Sequence, residues 1–254
     1  GRDLGAINKE KLNRYHKEGQ GPASGLTLNI IDSIHTAVFG IKTFSPDITN
    51  RKFRTEILDC FDSIRTANTK NLILDLRDNS GGNPHHVKFI LQHLFDKPFE
   101  QAKECRVVKN KFQEDFLART RKQWYPWYGL GKFNPKKNNY SGDVFVLVNE
   151  GTYSAGVIFC SVLRKYKRAV FIGDETGGNP VVMAGYLIKS SWELPNTKIQ
   201  FGSGTLCTIY DDLNLNQGKG LVPDHIIKMK PEDILSLNDS CLDYTLELIK
   251  EKYR

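Results

Sequence analysis

A serine stands where an apolar run meets a helix-like run in NEGTYSAGVIF, residues 149–159. The hydroxyl of this residue, Ser154, could act as a nucleophile if a neighbouring base removed its proton. The amide of Ala155, at the start of the predicted helix, would then help to stabilise negative charge on the substrate oxygen. Serine is also among the preferred residues for capping a helix, so both interpretations stay open.

A second turn that could do chemistry reads DNSGG, residues 78–82. Adjacent glycines let the backbone approach a ligand closely, and their amides can donate hydrogen bonds to a developing oxyanion. The alternative is a glycine-rich connection that binds nothing. No phosphate-binding motif of the GxxxxGK[ST] or GxGxxG type is present, and TYSAG carries Thr152 where GxSxG requires a glycine. A phosphate site and an α/β-hydrolase site are therefore disfavoured.

The segments that must position these turns alternate between strand-like and helix-like patterns. NLILD and VFVLV are almost continuously apolar, as strands buried on both faces of a parallel sheet are, and each precedes a turn and a helical pattern. This alternation predicts an α/β fold with a central, mostly parallel sheet, helices and additional antiparallel hairpins. Since the carboxyl ends of parallel strands share one edge, the two turns should face each other.

Three helices and one region of hairpins are predicted outside these turns. Helical patterns cover residues 50–67 and 85–95, and 234–253 has the pattern of one closing helix. Residues 186–211 are typical of antiparallel hairpins.

Composition excludes several classes of protein. The 254 residues are 39% hydrophobic, and the net charge of +7 comes from scattered cations, which indicates a solvated surface rather than a nucleic-acid site. No stretch approaches the roughly 18 consecutive apolar residues of a membrane-spanning helix. Five cysteines without CxxC or zinc spacing argue against a metal site, and their odd number leaves at least one free thiol in a monomer.

Four motifs in order resemble the tail-specific, or C-terminal-processing, serine proteases of peptidase family S41. They are DLRDNSGG, VLVNEGTYSAG, FIGDETGG and GKGLVPD, and the match runs from about residue 25 to about residue 230. The resemblance implies a fold related to the ClpP and crotonase families. It also implies that Ser154 is the nucleophile, that the amides of Gly82 and Ala155 form the oxyanion hole, and that the substrate is a protein or peptide. No cofactor is implied, and such enzymes are exported to the periplasm or cell surface of bacteria.

The chain departs from the family at the expected base. In the branch with a serine–lysine dyad the lysine lies in T-x-G-K-G, but this chain reads TGGNP and has Asn179 there. An amide is not basic near neutral pH, and Lys189 lies farther along the chain. The branch that resembles the tricorn protease core uses a histidine from an upstream segment, supported by a glutamate where this chain has Gln217.

Histidines within the chain are predicted to be structural or superficial rather than catalytic: His16, His35, His85, His86, His93 and His225. His85 and His86 open a helix, whose dipole disfavours the imidazolium. The general base is therefore expected outside this chain, unless the protein is a degenerate relative. By this interpretation residues 1–24 are a leader or linker, and residues 25–254 are a catalytic core closest to the tricorn-like branch, without a PDZ domain.

The function predicted from these features is that of a serine endopeptidase. It would hydrolyse unfolded or C-terminal protein segments through an acyl-enzyme, with the substrate added as a strand near residues 181–190. The alternative is a binding module that keeps the fold without catalysis and holds a peptide or a lipid. A third hypothesis, an acyl-CoA enzyme of the crotonase type, would share the oxyanion geometry without a serine nucleophile.

Overall fold

A six-stranded sheet forms the centre of the molecule. A computed structural model describes residues 23–107, 129–185, 191–202, 206–211, 218–236 and 238–252. The sheet has the order β1-β2-β3-β7-β8-β13. Its strands are β1 Leu26–Ile31, β2 Thr36–Ile41, β3 Asn71–Asp75, β7 Asp143–Val148, β8 Val170–Gly173 and β13 His225–Ile226. Only the β1–β2 pair is antiparallel among these strands, so the predicted mostly parallel sheet is confirmed.

The middle residues of the central strands β3 and β7 are all apolar because both faces of the sheet are covered there. Leu72 and Leu74 of β3 belong to the larger core cluster, whereas Ile73 between them belongs to the smaller cluster on the opposite face. In β7 the same alternation directs Val146 to the larger cluster and Phe145 to the smaller one. Successive side chains of a strand point to opposite faces, so a continuous apolar run is required here.

Helices cover both faces of the sheet. The larger cluster contains side chains of α1 Asn50–Thr66, α2 Pro84–Leu91 and α3 Ala155–Lys165. Thr49 and Asn83 cap α1 and α2, since their side chains accept hydrogen bonds from backbone amides of the first turn. The smaller cluster includes Leu242, Leu246 and Ile249 of the C-terminal helix, whose bounds are given below.

The predicted antiparallel hairpins are present beside this sheet. Strands β5 Glu104–Val107, β9 Val182–Gly185 and β12 Leu206–Ile209 form an antiparallel sheet with β12 in the middle. Two-stranded pairs are formed by β4 Phe99–Glu100 with β6 Lys132–Phe133, and by β10 Ser191–Glu193 with β11 Gln200–Gly202. No disulfide bond joins two cysteines within the described residues.

The prediction of one closing helix over residues 234–253 is wrong. The region forms two helices, α4 Pro231–Leu235 and α5 Ser240–Lys252. Asp239 separates them because its side chain accepts the Leu242 amide at 3.1 Å, which starts a new helix. The helix predicted over residues 85–95 also ends early, at Leu91, because the amides of His93 and Leu94 bond to carbonyls three residues back.

The fold brings the turns of interest to one edge. Strands β3, β7 and β8 run parallel, so the segments that follow them leave the sheet at the same side. These segments contain DNSGG, Ser154 and the TGGNP turn, respectively. Among the described residues, no helix has the length and apolar character to cross a membrane.

Candidate active site

Ser154 occupies the residue before α3 in an unusual backbone conformation. Its φ is 49° and its ψ is −121°, a combination that strains any residue other than glycine. The side chain makes no capping hydrogen bond to the helix. The interpretation of Ser154 as a helix-capping side chain is therefore wrong, and this half-buried residue lies at a sharp strand-to-helix turn.

The turns that follow β3 and β7 face each other, as the sequence predicted. The side chain of Asn149 accepts the Asp78 amide at 2.8 Å and donates to the Asp78 carboxylate at 2.7 Å. One residue farther along, the carbonyl of Asn79 accepts the amide of Tyr153 at 2.8 Å. These bonds fix the distance between DNSGG and the residue that precedes Ser154.

Thr152 stands where a nucleophile elbow would have glycine, and it has a structural role. The side chain is fully buried, and its hydroxyl donates to the Leu76 carbonyl at 2.8 Å. The same hydroxyl accepts the Asn149 amide at 3.2 Å. Thr152 thus links the segments that follow β3 and β7, two residues before Ser154.

The two glycines of DNSGG are tightly enclosed, Gly81 by the Ser154 turn and Gly82 by the segment that follows β2. Gly81 has a φ of +108°, and a methyl group added there would lie 2.5 Å from Ser154 Cβ and 2.8 Å from the Ala155 nitrogen. Gly82 has a φ of +133°, and a methyl group there would collide with the backbone of Phe44 and Ser45. The sequence requires glycine at both positions because neither the conformation nor the space admits a side chain.

Two backbone amides beside Ser154 have no acceptor within the part of the chain that the structure describes. They belong to Gly82 and Ala155. The carbonyl of Gly81 accepts the Phe44 amide at 2.8 Å, and because a peptide is planar, the Gly82 N–H points away from that amide. These amides are the groups that the sequence predicted as oxyanion donors.

The TGGNP turn closes the site from a third side. The Gly177 amide donates to the Thr152 carbonyl at 3.2 Å, and a methyl group added at Gly178 would lie 3.4 Å from the Ser154 nitrogen. Thr176 is buried and holds this turn, since its hydroxyl donates to the Gly178 carbonyl at 3.0 Å. It also accepts the Leu221 amide at 2.8 Å, which attaches the GKGLVPD segment.

Asn179 is bound into the turn that carries it. Its Oδ1 accepts the amides of Val181 at 2.8 Å and Val182 at 3.1 Å, and its Nδ2 donates to the Lys219 carbonyl at 3.2 Å. At the position of the dyad lysine, this chain thus has a side chain that binds the backbone at the start of β9. Gln217, Lys189 and His16 lie outside the described residues.

No hydrogen bond joins Ser154 to a histidine within the described ranges. His86 Nδ1 donates to the Phe44 carbonyl at 2.8 Å, and its ring packs on Phe53. Burial is the main cause that lowers the pKa of His86, which is the direction expected from the sequence. His93 is buried against Phe61, and this burial lowers its pKa to about 4.

Sequence patterns missed a buried ion-pair network under the DNSGG turn. Arg77 forks onto Asp75 at 2.8 Å and onto Asp239 at 2.6 Å, and its side chain is 3% exposed. Burial alone would lower the pKa of Arg77, but the two carboxylates hold it well above its usual value. The charged residues in DLRD, directly after a buried strand, were the available signal, but their partner lies 162 residues away.

The strain at Ser154 predicts a difference between two inactive variants. Ser154→Gly should be more stable than Ser154→Ala. In this backbone conformation alanine is strained by about 1–3 kcal/mol, whereas glycine is not. Glycine also has the greater conformational entropy in the unfolded state, which destabilises the glycine variant by only about 0.4–1 kcal/mol. Urea unfolding of both variants measures the difference. Equal stability, or a more stable alanine variant, would show that the backbone at Ser154 is relaxed.

The fold and this turn define an α/β protein that presents a strained serine at the carboxyl edge of a parallel sheet. The chain belongs to peptidase family S41, whose family model matches residues 35–224. The family predicted from the sequence is thereby confirmed, and it is a family of serine peptidases.

Curated relatives include a CtpA-like serine protease and a carboxyl-terminal-processing peptidase. The chain is 25% identical over 186 residues to a "Probable CtpA-like serine protease" of Staphylococcus aureus, covering 70% of this chain and 32% of the relative. It is 26% identical over 193 residues to "Carboxyl-terminal-processing peptidase 2, chloroplastic" of Arabidopsis thaliana, covering 72% of this chain and 31% of the relative. The chain spans about a third of the length of these relatives.

Solved structures share the fold at lower identity. Mature CPAF superposes with a TM-score of 0.59 and 18% identity, covering 85% of this chain and 50% of CPAF. The photosystem II D1 C-terminal processing protease gives a TM-score of 0.50 and 17% identity, covering 76% of this chain and 42% of that protease. These solved structures therefore share the fold of this chain over most of its length.

Proposed function

We propose that this chain is the catalytic core of a serine endopeptidase and that Ser154 is its nucleophile. The Ser154 oxygen attacks the scissile carbonyl, its proton passes to a general base, and collapse of the tetrahedral intermediate expels the amine and leaves an acyl-enzyme. Water then hydrolyses this ester. The observation that carries the proposal is a serine in a strained turn that does not cap its helix, beside two amides that have no acceptor among the described residues.

The oxyanion of the intermediate would bind between the amides of Gly82 and Ala155. Backbone amides fixed before the reaction stabilise such charge without reorganising, and loss of one donor typically costs about 100- to 1,000-fold in rate. Ala155 adds the positive end of α3, which is directed at the same position. The mechanism requires no cofactor.

The base is proposed to be a histidine from a segment upstream of this chain, as in the tricorn-like branch. Asn179 is not basic, and its side-chain amide already hydrogen-bonds to backbone groups of Val181, Val182 and Lys219. His86 and His93 are buried beside phenylalanine rings, and burial lowers the pKa of each. Gln217 would contribute a hydrogen bond to the base but no compensating charge.

An extended peptide is the proposed substrate. Strand β9 pairs with β12 on one side, and no strand pairs with its other side among the described residues. A substrate strand added near residues 181–190 would hydrogen-bond to the backbone groups on this second side of β9. The Val182 amide would not take part, because it already donates to Asn179 Oδ1. Unfolded or C-terminal protein segments supply such strands. Export to a bacterial periplasm or cell surface is part of this proposal.

Labelling with a fluorophosphonate tests the proposal. The full-length protein should form an adduct on Ser154, located by peptide mass spectrometry, and Ser154→Ala should lose it. A reaction that occurs in the full-length protein but not in the 254-residue chain would support a base supplied from outside. An adduct that persists in Ser154→Ala would refute the assigned nucleophile.

A binding module is the second candidate, favoured by the structural use of Asn179 at the expected position of the base. In that case the full-length protein would bind a peptide or lipid without reacting with fluorophosphonate. The crotonase-type alternative predicts thioester turnover that survives Ser154→Ala.

A further inference from the structure

We propose that Asn79 is a positioning residue that holds the oxyanion turn and the nucleophile turn in register. The inference rests on the proposed function, since it concerns the amides assigned there to the oxyanion. Asn79 follows β3 and its side chain is fully buried. It makes contacts with three separate segments.

The side chain anchors the DNSGG turn to the sheet. Asn79 Nδ2 donates to the Ile41 carbonyl at the end of β2, at 2.7 Å. Asn79 Oδ1 accepts the Gly81 amide at 2.8 Å, one peptide before the Gly82 amide. One end of the carboxamide must therefore be a donor and the other an acceptor, and only asparagine supplies both at this length.

The backbone of Asn79 contacts the turn that contains Ser154. Its carbonyl accepts the Tyr153 amide at 2.8 Å, one residue before Ser154. On the other side of Ser154, a methyl group added at Gly156 would lie 2.9 Å from that carbonyl oxygen and 3.2 Å from Asn79 Oδ1. The first turn of α3 thus packs directly on Asn79, and a displacement of Asn79 shifts the Gly82 and Ala155 amides relative to each other.

Asn79→Asp removes the hydrogen bond to the Ile41 carbonyl while preserving the shape of the side chain. The aspartate can still accept the Gly81 amide, but its second oxygen faces the Ile41 carbonyl, so two acceptors meet where a bond was made. Repulsion there displaces the turn, and the added negative charge lies close to the place where the oxyanion develops. Both effects raise the barrier to attack by Ser154.

The protein offers a matched control on the same strand. Asn71 is also fully buried, and its Nδ2 donates to the Thr36 hydroxyl and the Ile34 carbonyl, both at 3.4 Å. It begins β3, whereas Asn79 follows the end of that strand. Asn71→Asp therefore introduces the same chemical change at the opposite edge of the sheet.

The first experiment compares fluorophosphonate labelling rates of the full-length wild type, Asn79→Asp and Asn71→Asp, each corrected for its folded fraction from urea unfolding. Asn79→Asp is expected to slow labelling at least about tenfold, since small misplacements of reacting groups have effects of this size. Asn71→Asp should lose stability but label at the wild-type rate. Equal rates for the two variants would overturn the positioning role, whereas an unreactive wild type would count against the proposed function.

A second experiment does not depend on that function. In ¹H–¹⁵N NMR spectra of the 254-residue chain, Asn79→Asp should shift the signals of both Gly82 and Ala155, and Asn71→Asp should leave them in place. Unchanged Gly82 and Ala155 signals in a folded Asn79→Asp variant would refute the inference whatever the labelling result.

Discussion

Ser154→Ala should lower the rate at which the full-length protein hydrolyses an unfolded protein such as reduced casein by at least about 1,000-fold, because no acyl-enzyme can form. Fold and stability should be retained, since the Ser154 side chain caps nothing and the alanine variant keeps the same backbone contacts. Release of acid-soluble peptides measures the rate, and circular dichroism checks the fold.

A serine elsewhere on the surface gives the matched control. Ser63 lies on the exposed side of α1, where its hydroxyl donates to the Asp59 carbonyl at 2.8 Å. Ser63→Ala should hydrolyse casein at the wild-type rate. Hydrolysis that survives in Ser154→Ala would mean that another residue is the nucleophile.

Asp239→Ala should destabilise the chain by about 3–5 kcal/mol, because it leaves the buried Arg77 guanidinium with one carboxylate instead of two. Both side chains of the Arg77–Asp239 pair are 3% exposed, so water cannot replace the lost partner. Part of the effect comes from the α5 cap, which Asp239 also provides. Asp239→Asn keeps a capping oxygen and should therefore lose less stability. Urea unfolding measures each free energy.

An exposed ion pair provides the control, because removing its carboxylate changes the charge without leaving a buried cation. Asp62 and Arg65 pair at 2.7 Å on α1 with 61% and 52% of their side chains exposed. Asp62→Ala should cost less than about 1 kcal/mol, as exposed pairs do. If Asp239→Ala costs no more than Asp62→Ala, the Arg77 network does not hold the segment under the DNSGG turn.

Local sequence patterns predicted the parts of the fold that depend on periodicity. The parallel strands could be inferred because the apolar residues of NLILD and VFVLV alternate between two buried clusters, so an unbroken apolar run is needed between the strand ends. The meeting of the DNSGG and Ser154 turns followed from strand direction alone. The order of four motifs predicted the family, which the family model confirms.

Features that depend on contacts between distant residues could not be predicted in this way. A capping serine and a strained serine have the same sequence signature, and only the backbone angles and the missing cap distinguish them at Ser154. The pairing of Arg77 with Asp239 spans 162 residues and carries no local pattern. For the same reason the break at Asp239 was missed, since its acidic side chain looks like an exposed helix position.

The most direct test is a crystal structure of the full-length protein after reaction with a peptidyl fluorophosphonate. The proposed geometry predicts a covalent bond from phosphorus to Ser154 Oγ, with the phosphonyl oxygen about 2.7–3.1 Å from the nitrogens of both Gly82 and Ala155. An adduct on another residue, or a phosphonyl oxygen directed away from these two amides, would contradict it.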